Sequence, residues 1–103
     1  MTKRRGIVSR TATELAGVLG LSPADGMELE VRCELNDKII DIVKRRALTH
    51  AQVAKLAHTS RTRVTAMLNR NTADISTDLM LRVLASLGYR VSLRFSRSAE
   101  ADV

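Results

Sequence analysis

Two helix-start signals stand close together in the middle of the chain, inside a stretch that carries no acid. Thr49 with Gln52 three residues on forms a capping box, in which each side chain satisfies a backbone N–H that a helix start leaves unpaired. Ser60 is a second N-cap, and only His58 and Thr59 lie between the helix that Thr49 opens and the one that Ser60 opens. Helices this short do not hold themselves together in water, so both must lean on other elements and on each other across a tight turn. Between residues 42 and 73 the chain carries Lys44, Arg45, Arg46, Lys55, Arg61, Arg63 and Arg70, with no Asp or Glu. A polyanion would choose this part of the chain.

The flanking segments supply the support. Thr11 with Glu14 is another capping box, followed by Leu15, Val18 and Leu19 and a stop at Gly20, which predicts a short first helix. Ser22-Pro23 reads as an N-cap with proline at the first helical position. Val31, Leu35, Ile39, Ile42 and Val43 then recur at helical spacing as far as Arg46, and Gly26 is expected to delay the regular part of this long helix to Met27 or Glu28. In the two central helices the apolar positions are Val53, Leu56 and Ala57, then Val64, Met67 and Leu68. Ser76 caps a further helix carrying Leu79, Met80, Val83, Leu84 and Leu87, with Gly88 as its left-handed stop. After Gly88 the period changes from 3.6 to 2. Tyr89, Val91, Leu93 and Phe95 alternate with Arg90, Ser92 and Arg94, the pattern of a single β-strand with one apolar face.

Composition narrows the function classes. A chain of 103 residues has room for one domain, and 45% apolar against 27% charged residues is a folded rather than a disordered balance. Only Tyr89 and Phe95 are aromatic, so the core is aliphatic and there is no row of platforms for unstacked bases, which argues against single-stranded nucleic acid and RNA. The formal charge of +6 points to a polyanionic partner. Cys33 stands alone, which excludes an internal disulfide and a cysteine-based zinc site and suits a reducing cytoplasm. It has no histidine partner in sequence and reads as a small packing residue. His50 and His58 are eight residues apart, not the three or four that put two ligands on one helix face, and no glycine-rich phosphate loop is present. The expectation is therefore a protein with no catalytic residue, metal or cofactor. The longest uncharged apolar stretch, from Leu15 up to Asp25, is interrupted by glycines and a proline and falls short of the roughly 20 residues that cross a bilayer. The basic start at Met1 to Arg5 is not followed by the apolar run of a secretory signal.

Charge also falls in blocks. Residues 1–13 hold Lys3, Arg4, Arg5 and Arg10 without an acid, and residues 14–41 hold seven acids against Arg32 and Lys38. Four of those acids, Glu30, Glu34, Asp37 and Asp41, recur at intervals of four, three and four, an acidic stripe along the long helix that DNA would repel and a basic protein would attract. An ordinary solvated face explains the stripe equally well.

Residues His50 to Asn69 resemble the helix-turn-helix of the Xre, Cro and lambda-repressor-like family. The resemblance rests on Ala54 as the small residue that lets the second helix cross closely, on Val53, Ala57, Val64 and Met67 as the apolar positions, and on the spacing of eleven from Val53 to Val64. The run Thr49 to Ala54, the Ser60-x-x-Arg63-Val64 stretch, and Ser76 to Gly88 followed by a strand are similar to a small Xre-type subfamily that includes HigA-type antitoxins. Two positions depart from the family pattern. His58 stands where glycine is usual because the backbone has positive φ, and Thr59 stands where an aliphatic residue is usual.

The expected architecture is mainly α: a compact bundle of about five helices with a central, lambda-repressor-like helix-turn-helix and one C-terminal β-strand. Residues 1–20 form a basic N-terminal arm with a short helix, residues 21–95 the DNA-binding domain ending in a dimerisation strand, and residues 96–103 a flexible tail. With Val64 turned inward, a helical step of about 100° turns Thr62, Thr65, Ala66 and Asn69 outward. These four, with Arg61 at the leading end, are the candidate base-reading residues: Arg61 for guanine, Asn69 for adenine or a phosphate, the Thr65 and Ala66 methyls for thymine. Lys55, Arg63 and Arg70, with His50 and Gln52 at the start of the preceding helix, are the candidate phosphate contacts. Tyr89, Val91, Leu93 and Phe95 are the candidate dimer interface, because a lone strand leaves a ladder of backbone groups unpaired. The partners expected are double-stranded DNA and a second copy of the chain, with no membrane. The main functional reading is a DNA-binding repressor on an inverted-repeat operator. The alternative that the resemblance implies is an antitoxin holding a basic, RelE- or HigB-like toxin. No effector ligand is indicated.

Overall fold

In the computed structural model, which describes Gly20 and residues 22–97, Ser22 caps helix α1 (Pro23–Arg45) by accepting the Asp25 N–H at 3.1 Å. Pro23 sits in the first turn, where its missing N–H is not needed. The expected late start does not occur. Gly26 lies inside the first turn, buried, with its N–H donated to the Ser22 carbonyl at 2.9 Å. A glycine penalty of about 1 kcal/mol is offset by a serine cap of similar worth and by a proline whose φ is already helical.

Three shorter helices follow: α2 (His50–Ala57), α3 (Arg61–Leu68) and α4 (Thr77–Ser86), capped by Thr49, Ser60 and Ser76 as their positions predict. The helix expected between Thr11 and Gly20 falls outside the described residues, except for Gly20 itself, whose φ is +76°. The described residues thus hold four helices of the five expected.

All four helices end in the same way. A residue with positive φ follows the last turn, and the next residue donates its N–H to the carbonyl five positions back: Leu48 to Val43 at 3.1 Å, Thr59 to Ala54 at 3.0 Å, Asn71 to Ala66 at 2.8 Å and Tyr89 to Leu84 at 3.0 Å. The left-handed residues are Ala47, His58, Arg70 and Gly88. Only the last is glycine, so three of the four stops carry the strain of a Cβ in this region, on the order of 1 kcal/mol each.

α1 is the backbone of the domain. It packs against α3 and α4, and α2 packs against the same two helices. The core is aliphatic: Ile39, Ile42, Val53, Val64, Met67, Met80 and Val83 are fully buried, with Leu35, Val43, Ala54, Ala57, Ile75, Leu79, Leu84 and Leu87 around them. Two residues expected in it are not there. Val31 is 43% exposed, because it lies toward the edge of the buried stripe through Leu35, Ile39 and Val43, while Arg32 beside it faces the segment before α4. Leu56 is 49% exposed, since the buried stripe of α2 runs through Val53, Ala54 and Ala57 and Leu56 lies about 100° from its centre. Leu68 is half-buried against the core as expected.

The C-terminal segment departs further from expectation. Among the described residues there is no strand. Tyr89 spends its N–H on closing α4 and lays its ring against its own chain, with Lys38 Nζ 5.3 Å and Arg46 Cζ 5.5 Å from the ring centre. Beyond it the chain runs on exposed, with Val91, Leu93 and Phe95 turned to solvent, Phe95 at 88%. A strand exists only when a second strand takes up its ladder, and the described residues of one copy offer none.

Candidate nucleic-acid interface

The α2–α3 unit is built from local chemistry. Thr49 donates its N–H to Gln52 Oε1 at 2.8 Å and accepts the Gln52 N–H on Oγ1 at 3.1 Å, so both halves of the capping box are made. α2 ends at His58, which takes φ +55° and ψ +48° in the turn position where a glycine is usual. Ala54, one turn earlier, is buried and small enough to let α3 cross close by. Thr59, where an aliphatic residue is usual, has its Oγ1 buried with no hydrogen-bond partner. An orphaned hydroxyl of this kind costs on the order of 1 to 3 kcal/mol. Ser60 then accepts the Arg63 N–H at 3.1 Å and α3 begins.

α3 buries Val64 and Met67 and turns its other side outward. Arg61, Thr62 and Asn69 are exposed, and Thr65 and Ala66 are half-buried, Ala66 because it packs in part against the core. Lys55, Gln52, Arg63 and Arg70 are exposed beside this face. Three of the residues assigned to phosphate have other engagements. The Gln52 carbonyl oxygen belongs to the capping box, which leaves its amide N–H groups for an anion. His50 Nδ1 lies 2.7 Å from Thr65 Oγ1, so the first residue of α2 touches the middle of α3. Arg70 forms an ion pair with Asp37 of α1.

The residues that fix α3 in place are ones that sequence reasoning did not single out. Asn36, a buried polar residue, donates from Nδ2 to the Met67 carbonyl at 2.9 Å and so ties the last turn of α3 to α1. Arg32 donates to the Thr72 carbonyl at 2.7 Å, the Ile75 carbonyl at 2.5 Å and the Thr77 hydroxyl at 2.9 Å, which closes the loop between α3 and α4 onto α1. Arg46 donates to the Leu87 carbonyl at 2.8 Å and fixes the end of α4. Asn36 left a trace in the sequence, since it falls next to Leu35 on the apolar face with Ile39 and Val43. The two arginines left none.

The electrostatics agree with an anion-facing surface. The cations of residues 42–73 have no acid among them, and the acids of α1 are partly engaged: Asp37 with Arg70, and Asp41 with Arg45 at 2.9 Å. Burial, and then the neighbouring Asp37 charge, push the Cys33 thiol above its usual pKa, which keeps it protonated and a poor nucleophile. Among the described residues no cluster of three His, Cys, Asp or Glu side chains stands in position to hold a metal ion, and no helix is long and apolar enough to cross a membrane.

No curated protein and no solved structure gives a significant match to the chain. The family model of a helix-turn-helix domain matches residues 18–96, which takes in all four described helices.

Proposed function

The chain belongs to the helix-turn-helix domain family, and on that footing we propose that it reads double-stranded DNA in a sequence-specific way, as a homodimer, and represses transcription from an inverted-repeat operator. The observation that supports this reading best is the outer face of α3, where Arg61, Thr62 and Asn69 stand exposed beside Lys55 and Arg63 with no acid nearby in sequence. In this reading α3 enters the major groove, Arg61, Thr62, Thr65, Ala66 and Asn69 meet base edges, and His50, Gln52, Lys55, Arg63 and Arg70 meet phosphates.

The dimer is proposed on the C-terminal segment. Val91, Leu93 and Phe95 alternate along an exposed stretch, and a second copy of the same stretch supplies both the missing ladder and cover for the apolar face. Tyr89 contributes to this from the side of its own helical body. Two such bodies related by a two-fold axis would set their α3 helices in successive major grooves, about 34 Å apart. The antitoxin reading, in which a basic RelE- or HigB-like toxin sits on the acidic stripe, has less support, because Asp37 and Asp41 already have arginine partners within the chain.

The test joins both parts of the proposal. The whole chain, offered a pool of randomised duplexes, is expected to select an inverted repeat with an affinity that falls steeply as salt rises. Truncation after Gly88 is expected to give a helical monomer with poor operator affinity. An unchanged dimer in sedimentation after that truncation would remove the segment from the interface, and failure of the whole chain to select any duplex would remove DNA reading.

A further inference from the structure

Arg70 stands where a side chain is a burden. It follows the last turn of α3 with φ +61°, in the region that favours glycine, and its N–H goes to the Met67 carbonyl at 3.1 Å while the Asn71 N–H closes on the Ala66 carbonyl at 2.8 Å. From this pinned backbone the guanidinium reaches across to α1 and donates from Nη1 to Asp37 Oδ1, with both side chains still open in part to water. An exposed ion pair returns no more stability than the left-handed turn takes. Stability alone therefore does not account for an arginine here, and the effect of the pair lies in where it holds the charge.

α1 lies on the side of α3 that buries Val64 and Met67, where Asn36 bonds to the Met67 carbonyl, so Asp37 draws the guanidinium toward that side rather than toward the face of Arg61, Thr62 and Asn69. A phosphate approaching the same guanidinium would also meet the Asp37 carboxylate, a like charge beside it. The two anions compete. Among the residues assigned to phosphate, Arg70 alone is held by an acid of the described chain. We propose that Asp37 is an internal competitor for Arg70: its carboxylate occupies, in the free chain, the guanidinium that a phosphate takes on duplex DNA, and binding exchanges one anion for the other. The inference rests on the reading of α3 as the groove helix and of Arg70 as a phosphate contact. It gives Asp37 a restraint on the affinity for every duplex alike, because a phosphate carries no sequence, and leaves the choice of bases to the outer face of α3.

The whole chain is titrated with its selected operator and with a random duplex, as wild type, Asp37→Asn, Arg70→Gly and the double variant. Asp37→Asn is expected to bind both duplexes about two- to threefold more tightly, the worth of one exposed ion pair, with the preference for operator unchanged. Arg70→Gly is expected to weaken both duplexes, to lower the slope of log affinity against log salt by about one, and to keep the denaturation midpoint, since glycine is at ease in that turn. Adding Asp37→Asn to Arg70→Gly should then gain nothing. Asp41→Asn removes the same charge from the same helix, where it pairs with Arg45 at 2.9 Å, and so reports general repulsion; its effect is expected to be smaller and to be the same with and without Arg70→Gly. Unchanged or lower affinity in Asp37→Asn, a gain that persists in the double variant, or a gain that Asp41→Asn equals overturns the exchange while leaving DNA reading in place. A wild type with no duplex preference at all overturns DNA reading, and the exchange with it.

Discussion

The two ends of α3 are held in opposite ways. Its last turn is fastened to α1 by the Asn36 bond to the Met67 carbonyl, followed by a left-handed stop at Arg70 whose side chain pairs with Asp37. Its first turn has the Ser60 cap and the buried Val64, and Arg61, Thr62 and Arg63 stand exposed with no side-chain bond to the rest of the described chain. A helix that must enter a groove needs a free leading edge, and its aim must come from somewhere else. Here the rear is fastened through α1, by Asn36, which is not among the residues proposed to touch DNA, and by Asp37 through Arg70, which is.

The widest effect should come from the rear. Asn36→Ala removes the side-chain donor to the Met67 carbonyl, which keeps the Arg70 N–H at 3.1 Å, and leaves a space where the buried amide stood; it is expected to cost about 1 to 2 kcal/mol of stability by chemical denaturation. At temperatures where it stays folded, it should weaken operator and random duplex alike. A loss confined to one or two base pairs would mean that Asn36 does not act through the placement of α3.

The front should behave differently. Arg61→Ala is expected to cost about 1 to 3 kcal/mol on the selected operator and little on random DNA, whereas Arg63→Ala and Arg70→Ala should weaken both together and lower the slope of log affinity against log salt. Equal losses on both duplexes in all three variants would erase the distinction between the two ends. At the turn, Thr59→Val replaces an orphaned hydroxyl by a methyl of the same shape and is expected to raise stability by about 1 kcal/mol without altering base preference, read from the denaturation midpoint and from competition binding. Smallest is the acidic stripe. Changing Glu30, Glu34, Asp37 and Asp41 to their amides should leave operator affinity unchanged or slightly raised, since repulsion falls and Arg70 loses a competing partner. A large loss in a folded variant would place the stripe on the DNA side.

What could be read from the sequence follows the range of the interactions. The caps at Ser22, Thr49 with Gln52, Ser60 and Ser76 are decided within three residues, and each forms where its position predicts. Gly88 was legible as a stop because glycine marks positive φ, and His58 through its place in the family pattern. Ala47 and Arg70 make the same turn without any mark in composition, and so passed unseen. Val31 and Leu56 show a related limit: apolar spacing suggests a face, but which part of it is covered depends on how the neighbouring helices cross. Arg32 and Arg46 bond to carbonyls some forty residues away, and such pairs leave no local period. At the candidate interface, the outward set on α3 follows from the helical step once Val64 is placed inside. The Asp37–Arg70 and His50–Thr65 contacts depend on how the helices cross, which that step does not contain.

The docking of Tyr89 has a geometric consequence. With its N–H closing α4 and its ring lying against Lys38 and Arg46, Tyr89 is held to the helical body that carries α3. In a pair of such bodies joined end to end, the separation of the two reading heads depends only on the length of chain paired beyond this anchor. Tyr89 is then the fixed zero of a ruler, and one residue inserted after it would lengthen the preferred gap between half-sites, while one inserted before it would disturb the body itself.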